Sequence, residues 1–352
     1  MAFIHVSDVV LKGISACVPS QVDENDKYPL DYDSRTKLIS SIGVERKRIT
    51  EKTVCSSDLC YEAAQKLIQE LNWDREDIDC LIFVSQTPDY YFPATSCILQ
   101  QRLGLTTECY TQDVLLGCSG YVYGLSTISS LISSGRGSFK KALLLVGDTP
   151  SKFSSKADKS TWPLFGDAGS ATALEYSSGA EGFKFHLATD GEGADAIMIR
   201  DGGYRNQISS ESLSLKEYES GIKRSNLDVS LDGMSVFSFA ISKAPQTVNK
   251  LLEHFEIEKD SVDFFTFHQA NMFLNEKIRK KLKLDSEKVP YSLKNFGNTS
   301  CASIPLTMVT EINDQLKSKK LNHVGCAFGV GLSWGSVSFQ TDHIVCPKLI
   351  EY

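Results

Sequence analysis

Two stretches of the chain repeat one order of apolar and polar positions without a gap. Lys66-Leu67-Ile68 with Leu71, Ile78 and Asp79 matches Lys250-Leu251-Leu252 with Phe255, Val262 and Asp263, 184 residues further on at each position. Apolar residues at i, i+1 and i+4 describe one face of an amphipathic helix. In both copies a short acidic turn then leads into an apolar run that reads as a strand, Cys80 to Val84 or Phe264 to Phe267. A further helix is predicted to end at Leu103-Gly104-Leu105 and again at Leu282-Lys283-Leu284. Gly117-Cys118-Ser119 and Gly297-Asn298-Thr299 each stand before a helical stretch that runs to another buried strand, Ala142 to Val146 or Val324 to Phe328. The pattern predicts two similar α/β halves of layered strands and helices, since a solenoid would need three or more shorter units. The turn Ser177-Ser178-Gly179 marks the expected boundary, giving halves 1–178 and 179–352. Met1 to Pro19 alternates apolar and polar residues and reads as a strand rather than a targeting leader.

With 352 residues and 41% apolar content, the chain can bury one or two sizeable cores. Its 37 basic and 44 acidic residues leave a net charge of −7, which argues against nucleic acid as a partner. The one short basic cluster, Lys277, Arg279, Lys280, Lys281 and Lys283, reads as a solvated helix face. No apolar run approaches the roughly 18 residues that span a bilayer. Ten cysteines show no CxxC pair and no histidine at zinc-finger spacing, so reduced thiols in a cytoplasmic protein without a metal are expected.

Cys118 follows Val114-Leu115-Leu116-Gly117 and precedes small and apolar residues at helical spacing as far as Gly135. Its sulfur is therefore expected at a strand-to-helix turn, where free amide N–H groups and the positive dipole end favour the thiolate that a nucleophile needs. The bland alternative is a buried apolar cysteine. His268 ends the strand Phe264 to Phe267, and strand carboxyl ends are where such sheets bind ligands, although a lone histidine is more often structural. Asn298, which duplicates the position of Cys118, reads by itself as a cap or turn residue. If the halves are related by a pseudo-twofold, thiol, imidazole and amide meet. The run Phe328-Gly329-Val330-Gly331-Leu332-Ser333-Trp334-Gly335 lacks dinucleotide spacing. It reads either as a tight hairpin or as a backbone that approaches a substrate closely and offers an N–H to an oxyanion.

Gly117-Cys118-Ser119-Gly120, His268-Gln269-Ala270-Asn271, Gly297-Asn298-Thr299-Ser300 and the glycine run, in that order, resemble ketoacyl-ACP synthase III of the thiolase superfamily. Ile42-Gly43-Val44-Glu45-Arg46-Lys47-Arg48 and Phe165-Gly166-Asp167-Ala168-Gly169-Ser170-Ala171 extend the likeness over nearly the whole chain. The resemblance implies a thiolase-like, five-layered α/β/α/β/α fold, a homodimer, and a catalytic triad of Cys118, His268 and Asn298. An acyl thioester would acylate Cys118. A malonyl group on acyl carrier protein would then lose CO2, His268 and Asn298 would steady the enolate, and the carbanion would attack the acyl-cysteine. The backbone N–H groups of Cys118 and Val330 would form the other oxyanion site. Phe92, in the stretch Asp89 to Pro93 that interrupts the duplication, would bound the partner's acyl pocket. Lys159 and Asn271 are candidate phosphopantetheine or phosphate contacts. No tightly bound cofactor is implied, only the acyl thioester substrate. Lys37 and Ser41 stand where members that take acyl-CoA carry tryptophan and arginine, and Phe273 and Ser238 stand where basic residues are expected. A carrier-bound or unusual acyl donor is therefore preferred to CoA.

Three other readings compete. Cys, His and Asn in this order, with His268 150 residues after Cys118, is also the order of a papain-like protease, but that reading leaves the duplication unexplained. Transfer of the acyl group from Cys118 to a hydroxyl or amine without decarboxylation would keep the fold, yet it has no use for Asn298. A non-catalytic partner of another synthase would be expected to lose Cys118.

Overall fold

The repeated helix–strand stretches fold as two equivalent mixed sheets in a computed structural model that describes residues 2–352. The first sheet runs in the order Ile350–Glu351, Val9–Val18, Ala168–Tyr176, Lys141–Asp148, Ile78–Val84 and Tyr110–Val114. The second runs Ala2–Val6, Phe183–Thr189, Ser333–Asp342, Lys320–Gly329 and Phe264–Phe267. In each sheet two antiparallel pairings are followed by a parallel one, Lys141–Asp148 against Ile78–Val84 and Lys320–Gly329 against Phe264–Phe267.

Central strands read as unbroken apolar runs because both their faces are covered. Along Ile78–Val84, the side chains of Cys80, Ile82 and Val84 enter the cluster between the sheets, whereas Ile78, Leu81 and Phe83 enter the outer one. The helices Gly120–Ser134 and Ser303–Glu311 fill the middle layer. Ser56–Leu71 and Thr95–Arg102 cover the outside of the first sheet, and Gly233–His254 and Met272–Lys281 that of the second. This is the five-layered thiolase-like α/β/α/β/α sandwich.

The chain ends depart from the sequence reading. Met1 to Pro19 was expected as one strand, but the backbone turns at Asp8, with φ 64°, and Ala2–Val6 and Val9–Val18 lie in different sheets. The first strand joins the sheet of the second half, while Ile350–Glu351 joins the sheet of the first. Between Thr189 and Gly233 the chain leaves the sandwich, makes the short pairs Ile197–Met198 with Ser230–Leu231 and Lys216–Glu219 with Ile222–Arg224, and covers one wall of the site. Among the described residues no helix is long and apolar enough to cross a membrane.

Candidate active site

A cavity of about 990 Å³ opens where the two halves meet, and Cys118, His268 and Asn298 all line it. Each stands at the end of an element of the duplicated unit. Cys118 lies between the strand Tyr110–Val114 and the helix Gly120–Ser134, as the spacing predicted, and is 9% exposed. His268 directly follows Phe264–Phe267, where its N–H continues the ladder to the Cys326 carbonyl at 2.8 Å. Asn298 occupies the turn before Ser303–Glu311, and its N–H donates to the Leu164 carbonyl at 2.9 Å. That bond ties the Phe165-Gly166-Asp167 segment to the asparagine turn. Gly297 makes it possible: its φ is +65°, and a Cβ there would stand 2.5 Å from the Leu164 oxygen.

The polar groups are held in defined states. Ser303 Oγ lies 2.8 Å from His268 Nδ1 and accepts the Gln269 N–H at 3.3 Å; when its own proton is donated to Nδ1, the imidazole hydrogen is on Nε2. Asn275 donates to the His268 carbonyl at 3.0 Å. Burial presses the His268 pKa down to about 3, with the Ser300 backbone opposing, so the ring is neutral over the ordinary pH range. Asn298 Oδ1 accepts the Ser300 N–H at 2.9 Å, and one amide hydrogen reaches the Ala270 carbonyl at 3.4 Å, leaving a second N–H uncommitted.

Cys118 departs from the thiolate expected at a helix start. Burial first, and the Asp148 carboxyl second, push its pKa up to about 11, and Ser300 and the N–H groups of Val330 and Cys118 itself offset this only in part. A dipole end offers partial charge, whereas removal from water acts on the whole charge of the thiolate. The two amides are those expected to form an oxyanion site, and each acts to lower the thiol pKa. The glycine run forms the tight hairpin, and its backbone lies against Cys118. Lys320–Gly329 and Ser333–Asp342 form a hairpin around Val330-Gly331-Leu332, and a Cβ on Gly329 would meet the Cys118 Cβ at 2.4 Å. Ser119 and Ser333 hydroxyls join across the halves at 2.7 Å.

The other candidates separate. Asn271 lines the cavity, but its Oδ1 caps Met272–Lys281 by accepting the Leu274 N–H at 2.8 Å. Lys159 does not line the cavity; its ammonium donates to the Ser220 carbonyl at 2.5 Å. Phe92 is 78% exposed and does not line the cavity of its own chain. Lys37 and Ser41 are exposed on the helix Tyr32–Ile42, and Phe273 stacks on Phe237 with centroids 5.6 Å apart beside the mouth. Residues the sequence reading passed over are Gln86, Asp148, Ser300 and Ser303; only Ser300 and Ser303 carried a local signal, their nearness to Asn298. All ten cysteines are free, and no group of three or more potential metal ligands occurs among the described residues.

Comparison with known proteins gives the family. The family model described as 3-oxoacyl-[acyl-carrier-protein (ACP)] synthase III matches residues 112–191, and the one for the C terminal of the same synthase matches residues 252–341. A beta-ketoacyl-[acyl-carrier-protein] synthase III of Halalkalibacterium halodurans is 33% identical over 93% of this chain and 97% of its own. The crystal structure of a 3-oxoacyl-(acyl-carrier protein) synthase from Burkholderia xenovorans superposes with a TM-score of 0.93 at 38% identity, covering 100% of this chain and 99% of that one. A synthase III from Pseudomonas aeruginosa gives a TM-score of 0.83 at 28% identity over 96% and 99% of the two chains. With thiol, imidazole and amide gathered at one cavity, the chain belongs to the 3-oxoacyl-[acyl-carrier-protein] synthase III family of the thiolase superfamily and is an acyltransferase.

Proposed function

We propose that Cys118 carries the acyl group of a thioester and that the protein condenses it with malonyl-acyl carrier protein, with loss of CO2, to give a 3-oxoacyl thioester. The observation that carries this reading is the convergence of Cys118, His268 and Asn298 from both halves on one cavity. A neutral imidazole with hydrogen on Nε2 and an uncommitted Asn298 N–H are the two donors that an enolate oxygen requires as malonate decarboxylates. The N–H groups of Cys118 and Val330 receive the oxyanion formed at the acyl carbonyl. Transfer without decarboxylation would need only the second pair, so the preserved amide supports condensation.

The partner is an acyl carrier protein. A carrier-bound donor is favoured over CoA by the exposed Lys37 and Ser41 and by the apolar mouth at Phe237 and Phe273. A homodimer accounts for the exposed aromatic run Tyr90, Tyr91 and Phe92, with Phe92 bounding the acyl pocket of the second copy. The halves 1–178 and 179–352 meet at Gly179, whose N–H donates to Asp8 at 2.7 Å. Free cysteines fit the cytoplasm.

Intact mass after incubation with acyl-CoA and acyl-carrier thioesters, followed by malonyl-carrier protein, tests both half-reactions. An acyl adduct absent from Cys118→Ala and discharged to a 3-oxoacyl product with CO2 is the expected result. Discharge only to an alcohol or amine would make the protein a simple acyl transferase, and no adduct from any thioester would refute Cys118 as the carrier.

A further inference from the structure

The first half's wall of the cavity carries few polar side chains, and most of them are committed within the fold. Asp113 accepts the Thr95 and Ser96 N–H groups at 2.7 Å each. The Ser85 hydroxyl donates to Asp148 at 2.9 Å, and the Tyr91 hydroxyl donates to the Gly202 carbonyl. The Tyr90 hydroxyl belongs to a side chain that is 63% exposed. Gln86 is the exception. Its side-chain amide has no hydrogen-bond partner among the described residues, although the residue is half-buried and lines the cavity.

The fold holds this amide in place. The turn Ser85-Gln86-Thr87 leaves the strand Ile78–Val84 beside the buried Asp148. Asp148 Oδ1 accepts the Ser85 hydroxyl, the Gln86 N–H at 2.7 Å, and the Thr87 N–H and hydroxyl at 3.2 Å each. From the helix Ser56–Leu71, the Ser56 hydroxyl donates to the Thr87 carbonyl at 3.0 Å and adds a further anchor. A backbone fixed at so many points sets where the Gln86 side chain begins. Gly117, the residue before the nucleophile, leaves room for its far end. A Cβ there would stand 2.2 Å from Gln86 Oε1 and 3.3 Å from Ser300 Oγ. The amide therefore lies against the Gly117 backbone, one residue from Cys118. The wall is otherwise largely apolar, with Phe83, Pro88 and Leu115.

We infer that Gln86 selects the acyl group, and that the donor is a hydroxyacyl thioester with its hydroxyl on the second or third carbon. The inference rests on Cys118 being the acyl carrier. A glutamine amide presents an acceptor and two N–H donors, so one hydroxyl can donate to Oε1 and accept from Nε2. A keto oxygen would use only the donors, and an ammonium only the acceptor. A carboxylate on the acyl group would be unpaired, because no lysine or arginine among the described residues lines the cavity. The hydroxyl has to stand near the thioester because the amide borders the residue next to Cys118; a polar group at the end of a long chain would lie beyond it. A plain alkanoyl chain would strip water from the amide and return no hydrogen bond, and a polar group left unpaired in this way is costly. Gln86 thus favours the hydroxylated donor and disfavours the plain one.

The test is the second-order rate of Cys118 acylation by butyryl, 2-hydroxybutyryl and 3-hydroxybutyryl thioesters, each offered on CoA and on acyl carrier protein. Intact mass reads the rate in wild type, Gln86→Met and Gln86→Leu. Methionine keeps the length of the side chain and removes its polar end. In the wild type the better hydroxybutyryl donor should exceed butyryl about 10- to 100-fold, the range for one hydrogen bond made or left unmade. In Gln86→Met the hydroxybutyryl rate should fall and the butyryl rate should rise, so that the preference disappears. A glutamine that only held the turn would slow all three donors alike and leave their ratio in place. Gln86→Leu carries the same test if Gln86→Met does not fold. Equal wild-type rates for the three donors, or a preference that survives in the variants, overturns the inference. The two readings separate: acylation without discrimination removes the role of Gln86 and keeps Cys118 as the carrier, whereas no adduct from any thioester removes the carrier and the inference with it.

Discussion

The two halves share one plan but differ in where they bury carboxyls and imidazoles. The first sheet and its loops enclose Asp148, Asp158 and Asp167; the second encloses His186, His268 and His323. At the equivalent turns of the repeat the first half carries a thiol, Cys118, and the second an amide, Asn298. A duplicated scaffold thus places two unlike turns at one cavity; in the proposed reaction one half holds the acyl group and the other stabilises the charge that attacks it.

The largest effect expected from this division is a clean split of the half-reactions. Cys118→Ala should take no acyl group from any thioester. Asn298→Ala should still be acylated but should discharge to 3-oxoacyl product about 10²–10³-fold more slowly, the usual loss for one oxyanion donor. Single-turnover acylation followed by malonyl-carrier discharge reads both. Equal loss of acylation in the two variants would break the comparison.

Next in size is the contact between the halves. Gly329→Ala places a methyl 2.4 Å from the Cys118 Cβ, and a displacement approaching 1 Å at the nucleophile should slow acylation about 10²-fold. Gly179→Ala, where a Cβ meets nothing within 4 Å, is the control for glycine loss as such, its φ of +82° carrying a backbone cost far from the site. Acylation rates in the two variants make the test.

Much of this plan was legible in the chain. The 184-residue repeat predicted matching helices and strands because each half buries the same faces, and a strand covered on both sides shows an apolar run however distant its partners. The catalytic candidates stood at the repeat's turns. The exchange of end strands was not legible, since Ala2–Val6 alternates equally well against either sheet and only long-range pairing chooses. Nor was the state of Cys118: the sequence shows a helix start, but the burial that raises the thiol belongs to the closed cavity. Asp148 lay hidden at the end of an apolar strand, where an aspartate reads as a turn, because its partners Ser85, Gln86, Thr87 and Cys301 come from two other segments.

The buried acids and bases act on stability with opposite sign. His268 and His323 have folded pKa values of about 3 and about 4, against about 6.5 in an unfolded chain. Below pH 6.5 the unfolded state binds protons that the native state refuses, so stability falls with pH by up to about 1.4 kcal/mol per unit for each ring. Asp148 and Asp167 are raised by burial, so their contribution is present at low pH and lost as pH rises through their folded values. His323, bonded through Nε2 to Thr341 at 2.8 Å, lies in the second sheet away from the cavity. His323→Gln should remove about one proton's worth of the slope between pH 6.5 and 5, measured by denaturant midpoints. An unchanged slope would mean that the second half does not govern the acid limb.

The smallest effect concerns two equivalent helix starts. Thr95–Arg102 is capped from outside, the Asp113 carboxylate accepting the Thr95 and Ser96 N–H groups at 2.7 Å each, whereas Met272–Lys281 is capped by its own Asn271. Asn271 also lines the cavity, so one side chain has two candidate roles, as a cap and as a substrate contact. Asn271→Ala should cost about 1 kcal/mol of stability, the usual worth of such a cap. Asn271→Asp keeps an acceptor for the Leu274 N–H and should keep that stability. The aspartate therefore isolates the substrate contact. If the amide also binds the thioester arm, Asn271→Asp raises the KM for the donor at wild-type stability. If KM is unchanged, the asparagine serves the helix alone, and the second half matches the first in sparing its cap residue from the chemistry.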